Sequence, residues 1–179
     1  MDGSMPASHL LATWQTSNRV TEFFFEKLPE ELWDSKIPGA PQRTIRMMAG
    51  HIHNARCMWI KMAGKQFSIR APKSVDRRRV TRAALLNALK ESNRRMIELL
   101  SAGARQQGML DMNIPWANIP SDITHFTIYL VAHEAHHRGQ IVLAARALGQ
   151  RLPKQITDGL WQWKKWHQEI SGKRKHKKY

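Results

Sequence analysis

His133 and His137 stand four residues apart, the spacing at which two side chains on a helix share a face, and imidazoles so placed form a recurrent chelating pair. A helix turns about 100° per residue, which puts His137 about 40° round from His133 and one turn further on. Phe126, Tyr129, Leu130, Gln140, Ile141 and Ala144 fall on the same face, so both rings are expected to point inward. His136 lies toward the margin of that face and His125 about 80° off in the other sense, which makes them poorer candidates. A third imidazole comes from earlier in the chain. With His51 as origin, Met47, Met48, Ala55, Met58, Trp59 and Met62 all lie within about 80°, which sets His51 at the centre of an apolar face. His53, about 160° away and grouped with Arg46, Arg56 and Ile60, is expected to meet solvent.

A lone inward histidine is ordinarily a core residue satisfied by a carbonyl or a hydroxyl. Three shift the balance, because each ring nitrogen buried without a partner costs on the order of 1–3 kcal/mol and one divalent ion bound by all three removes that cost. With no fourth protein ligand evident, the coordination is expected to stay open, the arrangement in which a bound water or thiol becomes nucleophilic at neutral pH. Three imidazoles suit zinc, nickel, copper or iron. Gln140 shares the ligand face and can support a ring nitrogen or a bound water. Glu134, at the flank, is a weaker candidate base; Arg138 is expected to point toward a surface or interface, and Gly139 to permit close helix approach.

Helices must carry these residues, since apolar positions recur at spacings of three and four and no run alternates as a strand would. The spacing predicts helices over about Ser8–Leu28, Thr44–Met62, Thr81–Ala102 and Ser121–Leu148, with a shorter fifth over Gln155–Ile170. Pro29, Gly64 and Gly149 read as stops, and Ser121 as the cap of the fourth helix. The prolines and Gly39 between Pro29 and Pro41 mark a connection with one helical turn around Glu31–Trp33. Four long helices suit an all-α four-helix bundle.

A chain of 179 residues supports one domain, read as residues 1–170, followed by a basic tail over 171–179. The net charge of +15 draws the protein toward polyanions, and much of the excess crowds into the tail, where Lys173, Arg174, Lys175, Lys177 and Lys178 form either a solvated arm or a nucleic-acid contact. Arg77, Arg78 and Arg79 read as a solvated turn. No apolar run approaches the roughly 20 residues of a membrane span, and Met1–Leu10 lacks the pattern of a secretory signal. The single cysteine, Cys57, fits a reducing compartment, so a cytoplasmic location is expected.

Two known patterns touch the histidine segment. His133-Glu134-Ala135-His136-His137 formally matches the zinc-protease H-E-x-x-H signature, but Leu143 stands where the extended form places its later histidine. The better match is His133-Glu134-Ala135-His136-His137-Arg138-Gly139-Gln140-Ile141, which is similar to the H-x-x-x-H-R-G-Q signature of the DinB family, the DinB/YfiT-like metalloenzymes. Thr44–Ile52, continued by Asn54, Ala55, Arg56 and Trp59, resembles that family's second-helix segment, and the resemblance runs from about Ser8 to Trp163. It implies an up-down-down-up four-helix bundle, here with a short extra C-terminal helix, a nickel- or zinc-type ion on His51, His133 and His137, and frequently a homodimer. It also implies chemistry on small molecules, with a low-molecular-weight thiol as cosubstrate in relatives that transfer thiols, or hydrolysis. A metal-stabilised stress-response protein whose tail contacts nucleic acid is the non-enzymatic alternative.

Overall fold

The computed structural model describes residues 7–112 and 116–172. The chain is mostly helical: α1 (Ala7–Lys27), α2 (Ile45–Ala63), α3 (Arg82–Arg105) and α4 (Ile123–Ala147) are long, and α5 (Lys154–Gly159) and α6 (Trp163–Ile170) are short. Side-chain caps set three of the starts. Thr44 and Thr81 accept from the amides of Met47 and Ala84, each at 3.2 Å, and Asp122 accepts from the amides of Thr124 and His125, each at 2.9 Å. Asp122, rather than the expected Ser121, is therefore the cap of α4, because its carboxylate also meets the anion preference of a helix start. At the other end Gly149 takes φ +74°, a left-handed conformation that suits glycine after the last turn.

Between the four long helices lie two large apolar clusters with a polar layer between them. Leu10 and Trp14 of α1, Trp59 and Ala63 of α2, Met96 and Leu100 of α3, and Phe126 and Leu130 of α4 build one cluster. Phe24 and Leu28, Ile45 and Ile52, Leu85 and Leu89, and Ile141 and Ala145 build the other. In the layer between, Arg56 donates from Nε to Glu134 Oε1 at 2.6 Å and from Nη2 to Glu134 Oε2 at 2.8 Å, and both side chains are 1% exposed. Thr21 donates to Glu134 Oε2 at 2.7 Å, and Arg138 donates to Thr21 Oγ1 at 2.5 Å. Asn18 accepts from Arg56 Nη1 at 2.8 Å, and the Arg56 guanidinium lies 4.9 Å over the Trp14 ring. Burial opposes ionisation of Glu134, but the charge and hydrogen bonds of Arg56, with Arg138 and Thr21 behind, outweigh it and hold the carboxyl below its ordinary value.

This layer corrects three expectations. His53 and Arg56, assigned to the solvent side of α2, are buried, and Arg138 is buried beside Glu134 rather than at a surface. The cause is that α2 is covered on more than one side, by α3 and α4 and by the segment Lys73–Val75. His53 is a satisfied core histidine, with Nδ1 3.2 Å from Ser92 Oγ and Nε2 3.0 Å from the Lys73 carbonyl.

Two further differences lie outside the long helices. The connection after α1 contains a small antiparallel hairpin, β1 (Lys36–Ile37) and β2 (Ala40–Thr44), as well as the helical turn at Glu30–Leu32. Pro38 and Gly39 make its turn, with Gly39 at φ +77°, a Pro-Gly pair that suits such a reversal. The expected fifth helix is broken into α5 and α6 around Leu160–Gln162; Trp166 packs on Val20 and Phe23 of α1, whereas Trp161 is 83% exposed. The basic positions Lys173, Arg174, Lys175, Lys177 and Lys178 lie outside the described residues. Among the described residues, no helix is long and apolar enough to cross a membrane.

Replacing Arg56 by Met leaves a buried carboxylate without its cation, and the expected outcome is a loss of about 3–5 kcal/mol in urea unfolding. A loss below about 1 kcal/mol would show that the pair does not hold α2 to α4.

Candidate metal centre

Three imidazoles converge between α2 and α4. His51, His133 and His137 each offer a ring nitrogen, and the three nitrogens lie within 4.8 Å of one another. Ring centroids are 5.3 Å apart for His51 and His133, 4.7 Å for His51 and His137, and 4.5 Å for His133 and His137. His133 Nε2 and His137 Nε2 face each other at 3.2 Å. Two nitrogens bound to one tetrahedral ion at about 2.0–2.1 Å stand roughly 3.3 Å apart, so this edge already has the right length for a shared cation.

The orientation of His137 has a cause in the same helix. Gln140 Oε1 lies 2.8 Å from His137 Nδ1, and since a carboxamide oxygen only accepts, the contact requires the proton on Nδ1 and leaves the Nε2 lone pair free. Tyr129, one turn before His133, stacks on that ring with centroids 6.0 Å apart, and Trp59 buttresses Tyr129 from α2 at 5.5 Å. His136 is exposed, with its ring 5.2 Å from that of His137, and His125 is exposed and bonded to Asp122.

All three converging rings are half-buried rather than sealed in the core, because the methionine-bearing side of α2 is a cleft wall: Met47 and Met48 are partly buried and Met58 is exposed. A cavity of about 380 Å³ opens over His51 and His137, bounded by Met47 and Met48 on one side and by Gln140 and His136 on another. Arg43 from β2 and Arg77 from the loop before α3 complete its rim, and no carboxylate lines it. Desolvation lowers the pKa of His51 to about 4, helped by its two histidine neighbours and then by Arg77 and Arg43. Desolvation first and the neighbouring His137 second also lower His133, while for His137 desolvation outweighs the support of Gln140. At neutral pH the three rings are therefore uncharged, the state in which imidazole binds a metal ion.

Glu134 does not face this cleft. Both of its oxygens are engaged by Arg56 and Thr21 on the buried side of α4, so the H-E-x-x-H reading lacks its general base. Arg43 carried no sequence signal, and Arg77 looked like part of a solvated turn. What places Arg77 is Gly50: a Cβ there would sit 3.1 Å from Arg77 Cγ and 3.4 Å from its Cα, so the glycine before His51 lets the loop lie against α2. Asn54 fixes the same loop by bonding both the carbonyl and the amide of Val75, at 3.0 and 2.9 Å.

The DinB family model matches residues 3–170, nearly the whole chain. The chain belongs to the DinB family. None of the curated proteins matches it. In this DinB protein the H-x-x-x-H-R-G-Q stretch divides by helix face: His137 and Gln140 line the cleft, His133 joins the three-imidazole group beside it, Arg138 joins the buried polar layer, and Gly139 is exposed with open space where a Cβ would stand. Among the described residues nothing lies within 4 Å of that Cβ position, so the close helix approach expected at Gly139 is not made within the bundle.

The depressed histidine values give a signed pH dependence. A histidine whose folded pKa lies below its unfolded value of about 6.5 contributes its full stability above that pH and loses it as pH falls toward the folded value, about 4 for His51. The thermal midpoint of the metal-free protein is expected to fall from pH 6.5 to pH 4, and to fall less in His51→Ala. Equal slopes for the two proteins would contradict the environment described for His51.

Proposed function

We propose that this DinB protein is a metal-dependent enzyme in which His51, His133 and His137 hold one zinc- or nickel-type divalent ion, with thiol transfer to an electrophilic small molecule ahead of hydrolysis as the reaction. The observation that carries the reading is the convergence of three neutral imidazoles beneath a cavity with no carboxylate on its walls. Among the described residues the metal-competent group has three members, which suits a centre with a free coordination position. An ion held there lowers the pKa of a bound thiol or water into the neutral range. The chain's own contributions are distinct from this. Gln140 holds His137 in the tautomer that presents Nε2, and Arg43 and Arg77 offset the negative charge of a thiolate at the cleft. Hydrolysis is placed second because its usual carboxylate base is absent from the cavity wall, Glu134 being held in the ion pair.

Helix order supports the up-down-down-up course expected of the fold. α1 and α4 pass from the Trp14 cluster to the Phe24 cluster, and α2 and α3 pass in the reverse direction. We also propose that residues 1–170 act as one unit, and that α4 pairs with a second copy of the chain. Ile128 is 58% exposed, and Ala132, Ala135 and Gly139 make the strip beside it small and open.

Metal analysis of the native protein beside His51→Ala, His133→Ala and His137→Ala tests the centre directly. Native protein is expected to carry close to one ion per chain, and each variant to lose at least about tenfold in affinity with helicity unchanged. Thiol-dependent turnover of a chloronitrobenzene is expected to disappear in His133→Ala; full metal occupancy in that variant would end the reading. Sedimentation of native protein should give a dimer, and Ile128→Glu a monomer.

A further inference from the structure

The cavity above the histidines does not end at the metal centre. A second one, of about 420 Å³, adjoins it and shares Arg43, Met48 and Gln140 with the first. Its other walls are almost entirely apolar, with Ile37 and Pro38 from the hairpin facing Leu143, Ala144 and Ala147 on α4. The two together form a trough with a cationic end and an apolar end.

The cationic end is built to meet a ligand rather than a side chain. Arg19, Arg46, Arg82 and Arg94 each have a carboxylate partner, whereas among the described residues no ion pair involves Arg43 or Arg77. Neither cavity has an acidic residue in its walls. Arg77 is also held in place from beneath. Gly50 leaves room for its backbone and Cγ, and Asn54 clamps the loop two residues earlier through Val75. An exposed arginine with no structural function would not need two fixing contacts on the helix that bears His51.

We propose that the trough binds a small organic oxyanion bearing an apolar arm, its head held by Arg43 and Arg77 and its arm laid against Ile37, Pro38 and Leu143. This deepens the enzyme reading, on which it rests for placing the reacting end of the ligand over His51 and His137; the arginine and apolar contacts do not themselves need an ion. A planar carboxylate or a phosphate head satisfies paired guanidinium groups, which bind either through parallel N–H donors. A linear chain of about eight carbons gains affinity with each methylene removed from water. The apolar end therefore selects against short polar anions, and the arginine end against amines and neutral alcohols.

Calorimetric titration of the full-length protein, metal-free and zinc-loaded in parallel, with octanoate, octyl phosphate, acetate and octylamine tests this. Octanoate or octyl phosphate is expected to bind the metal-free protein, with acetate and octylamine each at least tenfold weaker. Arg43→Gln/Arg77→Gln is expected to weaken the octyl anion at least tenfold, and Leu143→Arg, which fills the apolar end, to weaken octanoate while leaving acetate unchanged. The substituted side chains are exposed, and circular dichroism melting establishes that each variant folds. Gly50→Val, which displaces the Arg77 loop, is expected to follow the arginine variants. Octanoate binding that ignores both arginines, or octylamine competing equally, would overturn the proposal, as would a trough covered by a second copy that excludes every probe. Because the deciding titrations are metal-free, failure of zinc to bind would sink the enzyme reading while leaving these outcomes to stand or fall on their own.

Discussion

The bidentate contact between Arg56 and Glu134 governs the relation of α2 to α4. Arg56 lies on the helix that bears His51, and Glu134 sits between His133 and His137 in sequence, so one ion pair in a low-dielectric layer sets the register in which all three imidazoles meet. Two charges removed from water are tolerated only when hydrogen bonds complete them, and Thr21, Asn18 and the Leu89 carbonyl do so. Apolar packing alone would allow one helix to slide or rotate against the other. A directional contact at a single height is far less permissive, because a shift of an ångström breaks a 2.6 Å hydrogen bond.

From this lock the cleft acquires its character. α4 turns Glu134 and Arg138 inward and, about a quarter-turn away, His133 and His137 toward the groove, so one short stretch of sequence both ties the bundle and furnishes the site. The rim comes from elsewhere, from a hairpin between α1 and α2 and from a loop between α2 and α3. Helices hold the imidazoles, while irregular segments supply the groups that meet whatever enters.

Much of this was legible in the residues. Four-residue spacing joined His133 to His137, and the methionine-rich face of α2 singled out His51; the structure brings those three rings together. The helix faces were nevertheless misjudged in part, since on the face around His51 Ala55 and Trp59 are buried but Met47, Met48 and Met62 are half-buried and Met58 is exposed, while His53 and Arg56 on the other side are buried. Periodicity locates a face but not what covers it, and a helix contacted on several sides buries polar residues wherever a partner waits. The hairpin was missed because β2 is too short to alternate over a useful length, although Pro38-Gly39 carried its turn. Arg77 was missed because its placement depends on a contact with Gly50 across the fold, which nothing local records.

The hairpin has little share in either apolar cluster beyond the edge contact of Ile37, yet Ile37, Pro38, Ala40 and Arg43 all border the trough. Lineages of this architecture can therefore retune what they accept by rewriting a reversal of fewer than ten residues, at small risk to folding. Divergence in ligand preference among proteins that keep the same three imidazoles is the outcome such a division of labour makes easy.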